Sequence, residues 1–319
     1  MSDPVRCAVI GAGHIGRFHA DKYARHPSAR LVAVVDPSPE RAQAVARQHG
    51  AEPRAEFAGL VGRVDAVSIC APTPAHYAIA RDCIAAGIHV LVEKPIAVTL
   101  AEADAMVAAA AAAGTVLQVG HLERFSMAGL GVAAVLDRPA FVDARRLTAF
   151  RGRGADVSVV LDLMIHDIDL VAAIAGSPVA SVAAVGRRVV SETEDVAAAQ
   201  LRFQDGTAAT LVASRVSPQA ERSLRILQAS GEIAIDLQAR RLTATRASVP
   251  GDAPTTIEAS QPDADPLGAQ IDAFLGCIAG GGRPLVDGTA GRDALATALA
   301  VIRSIRSDGA AVPIEKSHA

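Results

Sequence analysis

The sequence predicts an α/β protein with two domains: one built on a parallel sheet over residues 1–120, and an α+β domain with an open, mainly antiparallel sheet over residues 121–319. Three observations predict this. A glycine-rich turn joins an apolar run to a helical pattern, strand and helix patterns alternate to about residue 120, and consecutive strand patterns dominate afterwards. A chain of 319 residues is also long enough for two sizeable cores.

The first predicted element is a strand at residues 5–10 that runs into the glycine-rich turn at residues 11–16, before a helix. Gly11 permits a tight turn, Gly13 leaves the backbone open to a pyrophosphate, and Gly16 lets the helix pack close to the strand. This order of strand, glycine turn and helix is typical of a Rossmann dinucleotide-binding domain. A glycine turn without a ligand is the alternative.

The second predicted strand, residues 31–35, ends at Asp36, which lies 20 residues after Gly16 (36 minus 16). A carboxylate at this distance can accept hydrogen bonds from both ribose hydroxyls of adenosine. It repels the extra phosphate of NADP, so the sequence predicts NAD unless a neighbouring arginine compensates. Arg41 is the nearby candidate, and the pattern places it on the following helix, facing solvent.

Four more strands complete the first domain, at about residues 53–55, 65–70, 89–92 and 116–119, with helices predicted over 75–86 and 99–113. Six strands with intervening helices are typical of a dinucleotide-binding sheet. The turn after the fourth strand carries Thr73 and Pro74. We expect this turn to lie over the cofactor, because it opens at the same edge of the sheet as the glycine-rich turn.

The fifth strand ends in Glu93-Lys94-Pro95, where proline stops the strand from continuing. The carboxyl ends of parallel strands border the ligand crevice, so Lys94 is predicted to face a ligand. The alternative is a lysine that ends a strand and points to water. The predicted cofactor-binding residues are Gly11, Gly13, His14, Ile15, Gly16, Asp36, Thr73, Pro74, Glu93 and Lys94.

Beyond residue 121 the pattern changes to mostly consecutive strands, which implies an antiparallel or mixed sheet. The predicted strands cover residues 141–150, 179–190, 196–203, 208–214, 224–229 and 232–236. Helices are predicted over residues 122–136, 159–175, 267–279 and 289–307, with a proline-rich loop over 250–266. We expect the last two helices to pack back on the sheet or on the first domain.

Asp162 and His166 lie four residues apart on the predicted helix 159–175, so a regular α-helix places them on one face. Such a pair can hold a substrate hydroxyl, whereas the alternative is a solvated helix face with a stabilising Asp–His pair. Oxidation of a secondary alcohol needs a base for the hydroxyl proton while hydride leaves the same carbon for nicotinamide. The predicted catalytic residues are therefore Lys94, His166 and Asp162.

Their roles follow from their chemistry. His166 suits the base because it titrates near neutrality. Lys94 would polarise or hydrogen-bond the developing alkoxide, and positively charged nicotinamide nearby should lower its pKa, so either residue can be the proton acceptor. Asp162 would orient the substrate through a neighbouring hydroxyl or hold His166.

Composition narrows the class of protein. A formal net charge of −3 gives no basic footprint, which argues against a nucleic-acid partner. The four cysteines lie singly in apolar patterns, so they indicate core residues in a reducing compartment and no zinc or redox site; no other metal site is predicted. The N-terminus leads directly into the first strand, which leaves no room for a signal peptide, and no apolar stretch is long enough to span a bilayer. A cytoplasmic enzyme without membrane contact is expected.

The run 11–16, Asp36, Glu93-Lys94-Pro95 and the pair Asp162 and His166 together resemble the glucose-fructose oxidoreductase and inositol dehydrogenase (Gfo/Idh/MocA) family, over essentially the whole chain. Residues 120–125 and 160–169 look most like its nucleotide-sugar branch, although residues 126–127 are Ser-Met where that branch usually has Asn-Pro, and position 158 is serine where glycine is common. The resemblance implies NAD-dependent oxidation of the 3-hydroxyl of UDP-N-acetylglucosamine, for amino-sugar synthesis, in a homo-dimer or homo-tetramer.

The resemblance also suggests which residues bind the substrate. His121 and Arg124, which follow the sixth strand, should contact the sugar or the diphosphate. At least one of Arg145, Arg146, Arg151 and Arg153 could pair with the diphosphate, unless these arginines form a solvated surface. The predicted substrate-binding residues are His121, Arg124, Arg151, Asp162 and His166.

Two alternatives to a nucleotide-sugar dehydrogenase remain. One is a dehydrogenase of a free sugar or a polyol such as inositol. The other is a non-catalytic regulator that binds NAD without turnover. The presence of Lys94, Asp162 and His166 argues against a regulator, because sensing NAD needs only the glycine turn and Asp36.

Overall fold

The computed structural model describes residues 3–150, 152, 154–247 and 255–315. It divides into two compact units. Of the described residues, the first unit comprises the chain up to Leu122 together with Asp265–Arg292, and the second comprises Glu123–Ala264 and residues 293–315. A single boundary at residue 120 therefore does not separate the units, because the chain returns to the first one after residue 264.

The first unit holds a six-stranded parallel sheet in the order β3-β2-β1-β4-β5-β6. This order confirms the Rossmann sheet that the alternation of elements predicted. Two short 3-10 turns lie at Ala58–Leu60 and Thr73–Ala75. The elements are β1 (Val5–Ile10), α1 (His14–Arg25), β2 (Ala29–Val35), α2 (Pro39–His49), β3 (Glu52–Arg54), β4 (Ala66–Ile69), α3 (His76–Ala85), β5 (His89–Val92), α4 (Leu100–Ala113) and β6 (Leu117–Val119).

The second unit holds a nine-stranded sheet in the order β14-β13-β12-β11-β7-β10-β9-β8-β15. Its neighbouring strands are antiparallel except for β7 and β10, which confirms the mainly antiparallel sheet. The elements before residue 264 are α5 (Glu123–Gly129), β7 (Pro139–Leu147), α6 (Ile165–Ala175), β8 (Val179–Arg187), β9 (Val196–Phe203), β10 (Ala208–Ser214), β11 (Glu221–Gln228), β12 (Gly231–Asp236), β13 (Arg241–Arg246) and β14 (Thr256–Ser260).

Three elements follow: α7 (Pro266–Gly280), α8 (Gly288–Arg306) and β15 (Val312–Pro313). Helix α7 packs on α1 within the first unit, where Phe274 lies in one core with Tyr23 and Leu91. In the second unit, α6 and the sheet share a core to which Ile168 and Leu201 belong, and Val301 of α8 lies in that core too. Burial of these apolar side chains is the main force that holds each unit together.

Local signals set several helix ends. Thr99 and Glu102 form a reciprocal capping box at the start of α4. Gly114 ends that helix in the left-handed conformation, where glycine carries no steric penalty. These ends agree with the helix predicted over 99–113.

Three sequence predictions about the second unit are wrong in detail. The helix predicted over 122–136 ends at Gly129, and Gly131, with φ of +70°, precedes a separate 3-10 turn at Val132–Ala134. The loop predicted over 250–266 contains β14. This strand pairs with β13, and neither strand was predicted. Strand β14 is largely exposed, so it has few buried apolar residues to reveal it. Residues 250–254 of that loop lie outside the described residues.

The third difference concerns the helix predicted over 159–175. Its first turn, Val160–Met164, is a π turn in which the Ile165 amide reaches the carbonyl of Val160, and a regular α-helix begins only at Ile165. Residues four apart lie on one face only where the helix is a regular α-helix. In a π turn the hydrogen bond spans five residues instead of four. The four-residue spacing of Asp162 and His166 therefore does not place the two side chains directly one turn apart.

Across the described ranges, no helix is long and apolar enough to cross a membrane. Among the same residues, no group of three or more histidine, cysteine or acidic side chains could hold a metal ion. The four cysteines are free thiols, and burial raises the pKa of Cys7 and Cys83.

Candidate active site

The glycine-rich turn has the geometry that the sequence predicted. Gly11 has φ of +103°, and a Cβ there would lie 2.6 Å from the backbone of Cys70. A Cβ at Gly16 would collide with the carbonyl oxygen of Gly11, whereas a Cβ at Gly13 would meet nothing within 4 Å. The turn is thus closed on the protein side and open at Gly13, as close approach of a pyrophosphate requires.

The N-terminus of α1 can accommodate an anion. No side chain caps this helix, and its first turn has no acidic residue. Ser38 caps α2 and Thr99 caps α4, whereas α3 and α6 also have no side-chain cap. The first backbone amides of an uncapped helix have no partner within the helix, so they can donate hydrogen bonds to an anion at its N-terminus. A dinucleotide pyrophosphate fits this site.

Asp36 lies at the carboxyl end of β2 and is almost fully buried. Its Oδ2 accepts a hydrogen bond from the amide of Ala12 at 2.9 Å, and its Oδ1 accepts one from the amide of Ser38 at 2.9 Å. A carboxylate has about four lone-pair positions, so capacity remains for ribose hydroxyls. Arg41 on α2 is exposed, as predicted, but its Nη2 also lies 3.2 Å from Asp36 Oδ1, an ion pair that the sequence did not indicate.

The turns after β4 and β5 border the same edge of the sheet, because these strands are parallel neighbours. Thr73 and Pro74 lie in the 3-10 turn after β4, and Lys94 follows β5 with a cis peptide bond to Pro95. His76 joins the two turns: its Nε2 lies 2.8 Å from the carbonyl of Ala71 and its Nδ1 lies 2.9 Å from the carbonyl of Pro95. Burial lowers the pKa of His76, against the opposing effect of these carbonyls.

Glu93 has buried partners that sequence reasoning did not assign. Its Oε1 lies 3.2 Å from Nε2 of His19, whose Nδ1 lies 3.0 Å from the hydroxyl of Ser68. The Tyr23 hydroxyl lies 2.8 Å from the same serine oxygen. His19 and Tyr23 belong to the helical pattern of α1, so the available signal was a histidine on the buried face of that helix. No sequence pattern indicated that His76 would be buried against the turns after β4 and β5.

His121 follows β6 in the first unit and is almost fully buried. The Gly120 amide before it donates to the carbonyl of Val92, so the end of β6 lies beside the end of β5. The first unit therefore gathers the predicted cofactor residues and His121 at the carboxyl edge of its sheet.

In the second unit, Asp162 lies in the π turn and His166 in the first turn of α6, both partly exposed. The segment before the π turn approaches Asp162: a Cβ on Gly154 would lie 2.7 Å from Asp162 Oδ2. Gly154 has φ of +72°, so glycine is favoured there by both conformation and space.

Arg215, just after β10, contacts the backbone of the segment that precedes the π turn. Its guanidinium contacts the carbonyls of Gly154 and Val157, and its Nε donates to buried Asp195 at 2.8 Å. Burial alone would raise the pKa of Asp195, but the amides of Val189 and Val190 and the Arg215 guanidinium hold it below the usual range. Arg215 is therefore a structural centre for the backbone that leads to Asp162.

The arginines near β7 have different environments. Arg145 is exposed and pairs with Asp143, while Arg146 is buried and cannot present its charge to a diphosphate in this conformation. Arg151 and Arg153 lie outside the described residues. Of the arginine cluster, Arg146 is thus a structural residue.

Arg124 on α5 contacts α6, with Nη1 3.4 Å from Asp169 Oδ1. Burial raises the pKa of Asp169 to about 7, and Arg124 opposes this shift. The side chain of Arg124 is partly exposed, whereas that of Asp169 is buried. Arg124, Asp162 and His166 therefore all lie on α5, the π turn and α6 of the second unit.

Two family models match the chain. Residues 5–121 match the oxidoreductase family with an NAD-binding Rossmann fold, and residues 132–234 match the GFO/IDH/MocA C-terminal domain. The matched ranges fall on the two sheets described above, and they confirm NAD as the cofactor type of the first unit.

Similar proteins include UDP-N-acetylglucosamine 3-dehydrogenase from Acidithiobacillus ferrooxidans, 37% identical over 93% of this chain and 96% of the relative. A solved structure of that protein has a TM-score of 0.89 and covers 96% of this chain and 99% of its own. The scyllo-inositol 2-dehydrogenase (NAD(+)) of Bacillus subtilis is 32% identical over 68% of this chain and 69% of the relative. The WlbA dehydrogenase from Bordetella pertussis, solved with NADH and UDP-GlcNAcA, is 24% identical with a TM-score of 0.84 over 99% of both chains, which shows the same fold.

Proposed function

The chain belongs to the GFO/IDH/MocA oxidoreductase family, and on that premise we propose that it oxidises the 3-hydroxyl of UDP-N-acetylglucosamine to the 3-keto nucleotide sugar with NAD. The observation that carries the proposal is 37% sequence identity to a UDP-N-acetylglucosamine 3-dehydrogenase in an alignment that covers 93% of the chain, including both units. The similarity to the scyllo-inositol enzyme covers a smaller share of the chain, and a myo-inositol dehydrogenase that matches 94% of the chain is 31% identical, against 37% for the UDP-N-acetylglucosamine enzyme.

The cofactor site supports the first half of the proposal. The uncapped start of α1 and the open face of Gly13 suit a pyrophosphate, and Asp36 has acceptor capacity left for ribose. When bound, NAD supplies a hydride acceptor for the carbon that is oxidised. Thr73, Pro74 and Glu93 border the edge of the sheet where we expect the nicotinamide end.

Three residues are assigned to the chemistry. Lys94 stabilises negative charge that develops on the substrate oxygen, because an ammonium favours an alkoxide over an alcohol. His166 takes the hydroxyl proton, since a neutral imidazole is a base near neutral pH. Asp162 orients a neighbouring hydroxyl of the sugar. The exchange of roles between Lys94 and His166 is the alternative assignment.

Recognition of the nucleotide part is assigned to Arg124 and Arg151, with His121 near the sugar. A guanidinium matches phosphate oxygens with two parallel donors, which an ammonium cannot do. The Arg124 side chain on α5 contacts Asp169 and is also partly exposed. Contacts to a distant diphosphate would help to position the reacting carbon.

A substrate panel tests the proposal. Purified enzyme with NAD is offered UDP-N-acetylglucosamine, UDP-glucose, free N-acetylglucosamine, and myo- and scyllo-inositol, and NADH is followed by its absorbance. We expect the highest kcat/KM with UDP-N-acetylglucosamine and a 3-keto product by mass spectrometry after reductive deuteration. A higher kcat/KM with an inositol or a free sugar would favour the polyol or free-sugar alternative, and NAD binding without any turnover would favour a regulator.

The proposal also includes a homo-dimer or homo-tetramer and a 3-keto product that a transaminase consumes in amino-sugar synthesis. Sedimentation velocity of the purified chain tests the first. A coupled assay with an amino donor and a pyridoxal-phosphate transaminase tests the second.

A further inference from the structure

Two buried histidines contact the residues on either side of Lys94. His19 of α1 has Nε2 3.2 Å from Oε1 of Glu93, the residue before the lysine. His76 of α3 has Nδ1 2.9 Å from the carbonyl oxygen of Pro95, the residue after it. Both rings are almost completely excluded from solvent. The roles proposed above for cofactor binding and proton transfer use neither histidine.

The His19 ring is held at both nitrogens. Its Nδ1 lies 3.0 Å from the hydroxyl of Ser68, which in turn lies 2.8 Å from the hydroxyl of Tyr23. Burial raises the pKa of Tyr23 well above its usual value, so the phenol keeps its proton and can donate to the serine oxygen. A carboxylate oxygen accepts hydrogen bonds, so Nε2 of His19 is the donor to Glu93.

Glu93 is also confined on its other side. A Cβ on Gly120 would lie 2.7 Å from Oε1 and 3.0 Å from Oε2 of Glu93, so the carboxylate occupies space that only glycine leaves. Enclosure between His19 and Gly120 restricts the carboxylate to one position. The peptide that leads into Lys94 is restricted with it.

His76 restricts the opposite side. Its Nε2 lies 2.8 Å from the carbonyl of Ala71, in the turn after β4, while Nδ1 reaches the Pro95 carbonyl. The ring therefore lies between the turn that contains Lys94 and the neighbouring turn at the cofactor edge. Carbonyl oxygens only accept hydrogen bonds, so a neutral ring with its proton on Nδ1 donates to Pro95, and only the imidazolium donates to both carbonyls. Lysine has a long side chain with several rotatable bonds, so its amine can be placed accurately only if its backbone does not move.

We propose that His19 and His76 are positioning residues that fix Lys94 for turnover, His19 through the Glu93 carboxylate and His76 through the Pro95 carbonyl. This inference rests on the proposed role of Lys94 in the dehydrogenase. It assigns neither histidine a contact with substrate or cofactor.

Two substitutions at each histidine test separately the contacts made by Nδ1 and by Nε2. A glutamine amide extends about as far from Cα as Nε2 of histidine, and an asparagine amide about as far as Nδ1. His19→Gln can therefore still donate to Glu93, whereas His19→Asn can reach only Ser68. At position 76 the order reverses: His76→Asn can still donate to Pro95, whereas His76→Gln can reach only Ala71.

We expect His19→Gln and His76→Asn to retain kcat within about threefold, and His19→Asn and His76→Gln to lose kcat by about tenfold or more, the scale for misplacing a catalytic group. The KM for NAD should change less than kcat in all four. Ile84→Ala, which removes a buried side chain of α3, serves as a control for loss of stability alone. Equal losses in the two variants of each pair, or losses no larger than that of Ile84→Ala, would overturn the proposal.

A second measurement does not depend on the substrate. The lysines of the chain are Lys22, Lys94 and Lys316, so amine labelling followed by mass spectrometry resolves Lys94 directly. We expect the labelling rate of Lys94 to rise several-fold in His19→Asn and His76→Gln, while that of Lys22, which pairs with Asp265, stays unchanged. An unchanged rate at Lys94 would overturn the proposal, even if no compound in the panel proved to be a substrate. A changed rate with no turnover in the wild type would instead contradict the proposed function alone.

Discussion

Arg146 and Asp167 form a buried ion pair next to His166, with Nη2 of the arginine 2.7 Å from Oδ1 of the carboxylate and Nε 3.1 Å from both of its oxygens. The side chains are 4% and 2% exposed. Nη1 of the same arginine lies 2.9 Å from Glu123, at the start of α5. One arginine on β7 therefore pairs with a carboxylate on α5, which carries Arg124, and with one on α6, which carries His166.

The first prediction concerns that arginine. Arg146→Met leaves Asp167 and Glu123 without their buried cation, so we expect the free energy of unfolding to fall by about 3–5 kcal/mol at pH 7, as measured by urea denaturation. Arg145→Met, on the exposed face of the same strand, should cost less than about 1 kcal/mol. Similar losses in both variants would show that the buried pair contributes no special stability.

The second prediction uses the pKa of Asp169, which burial raises to about 7 from an ordinary value near 4. A carboxyl group with a raised folded-state pKa destabilises the native state above its unfolded pKa, and the cost disappears as pH falls through the folded pKa towards about 4. Asp169→Asn should therefore be more stable than the wild type by up to about 4 kcal/mol at pH 8.5. The difference should become small at pH 4.5. Thermal unfolding of both proteins across this range checks it, and a difference that is independent of pH would contradict it.

The third prediction concerns cofactor preference. Asp36→Ala removes the ribose acceptor, so we expect NAD to bind about 10- to 100-fold more weakly, the scale for losing hydrogen bonds to a charged group. It also removes the repulsion of a 2′-phosphate and releases Arg41, so NADP should bind more tightly than in the wild type. Calorimetric titration of both cofactors measures the change. Asp36→Ala/Arg41→Ala should lose the gain for NADP; if it keeps the gain, Arg41 is not responsible.

The fourth prediction concerns the reaction. Lys94→Met and His166→Asn should each reduce kcat by about two to four orders of magnitude, the usual scale for loss of an acid–base group, with NAD affinity nearly unchanged. Lys22→Met is the matched control, because that lysine pairs with Asp265 at the surface of the first unit, and it should leave kcat unchanged. Wild-type turnover in either variant would remove that residue from the proposed mechanism.

The fifth prediction concerns the diphosphate. Arg151→Ala and Arg124→Ala should raise KM for UDP-N-acetylglucosamine by about tenfold or more with a smaller change in kcat, because they remove binding contacts remote from the reacting carbon. Arg225→Ala, an exposed arginine paired with Glu232, should change neither constant. Free N-acetylglucosamine should be a very poor substrate, and a kcat/KM equal to that of the nucleotide sugar would contradict recognition of the diphosphate.

Features that depend on a few neighbouring residues could be predicted from the amino-acid sequence. The glycine turn, the position of Asp36 after β2 and the capped start of α4 at Thr99 were all predictable, because glycine conformation, strand length and helix capping are local properties. Alternation of strand and helix patterns was sufficient to predict a parallel six-stranded sheet, whereas the order of its strands came from the structure.

Which polar residues become buried partners depends on packing between distant parts of the chain. Arg145 and Arg146 are adjacent in the sequence, yet only Arg146 is buried, because successive residues of a strand point to opposite faces and the covered face depends on what packs there. His19 lies 74 positions from Glu93, and no local pattern relates them. The π turn at Asp162 and strand β14 were likewise not indicated by the sequence pattern. Local signals specify an element, whereas contacts between distant residues are specified only when the whole core forms.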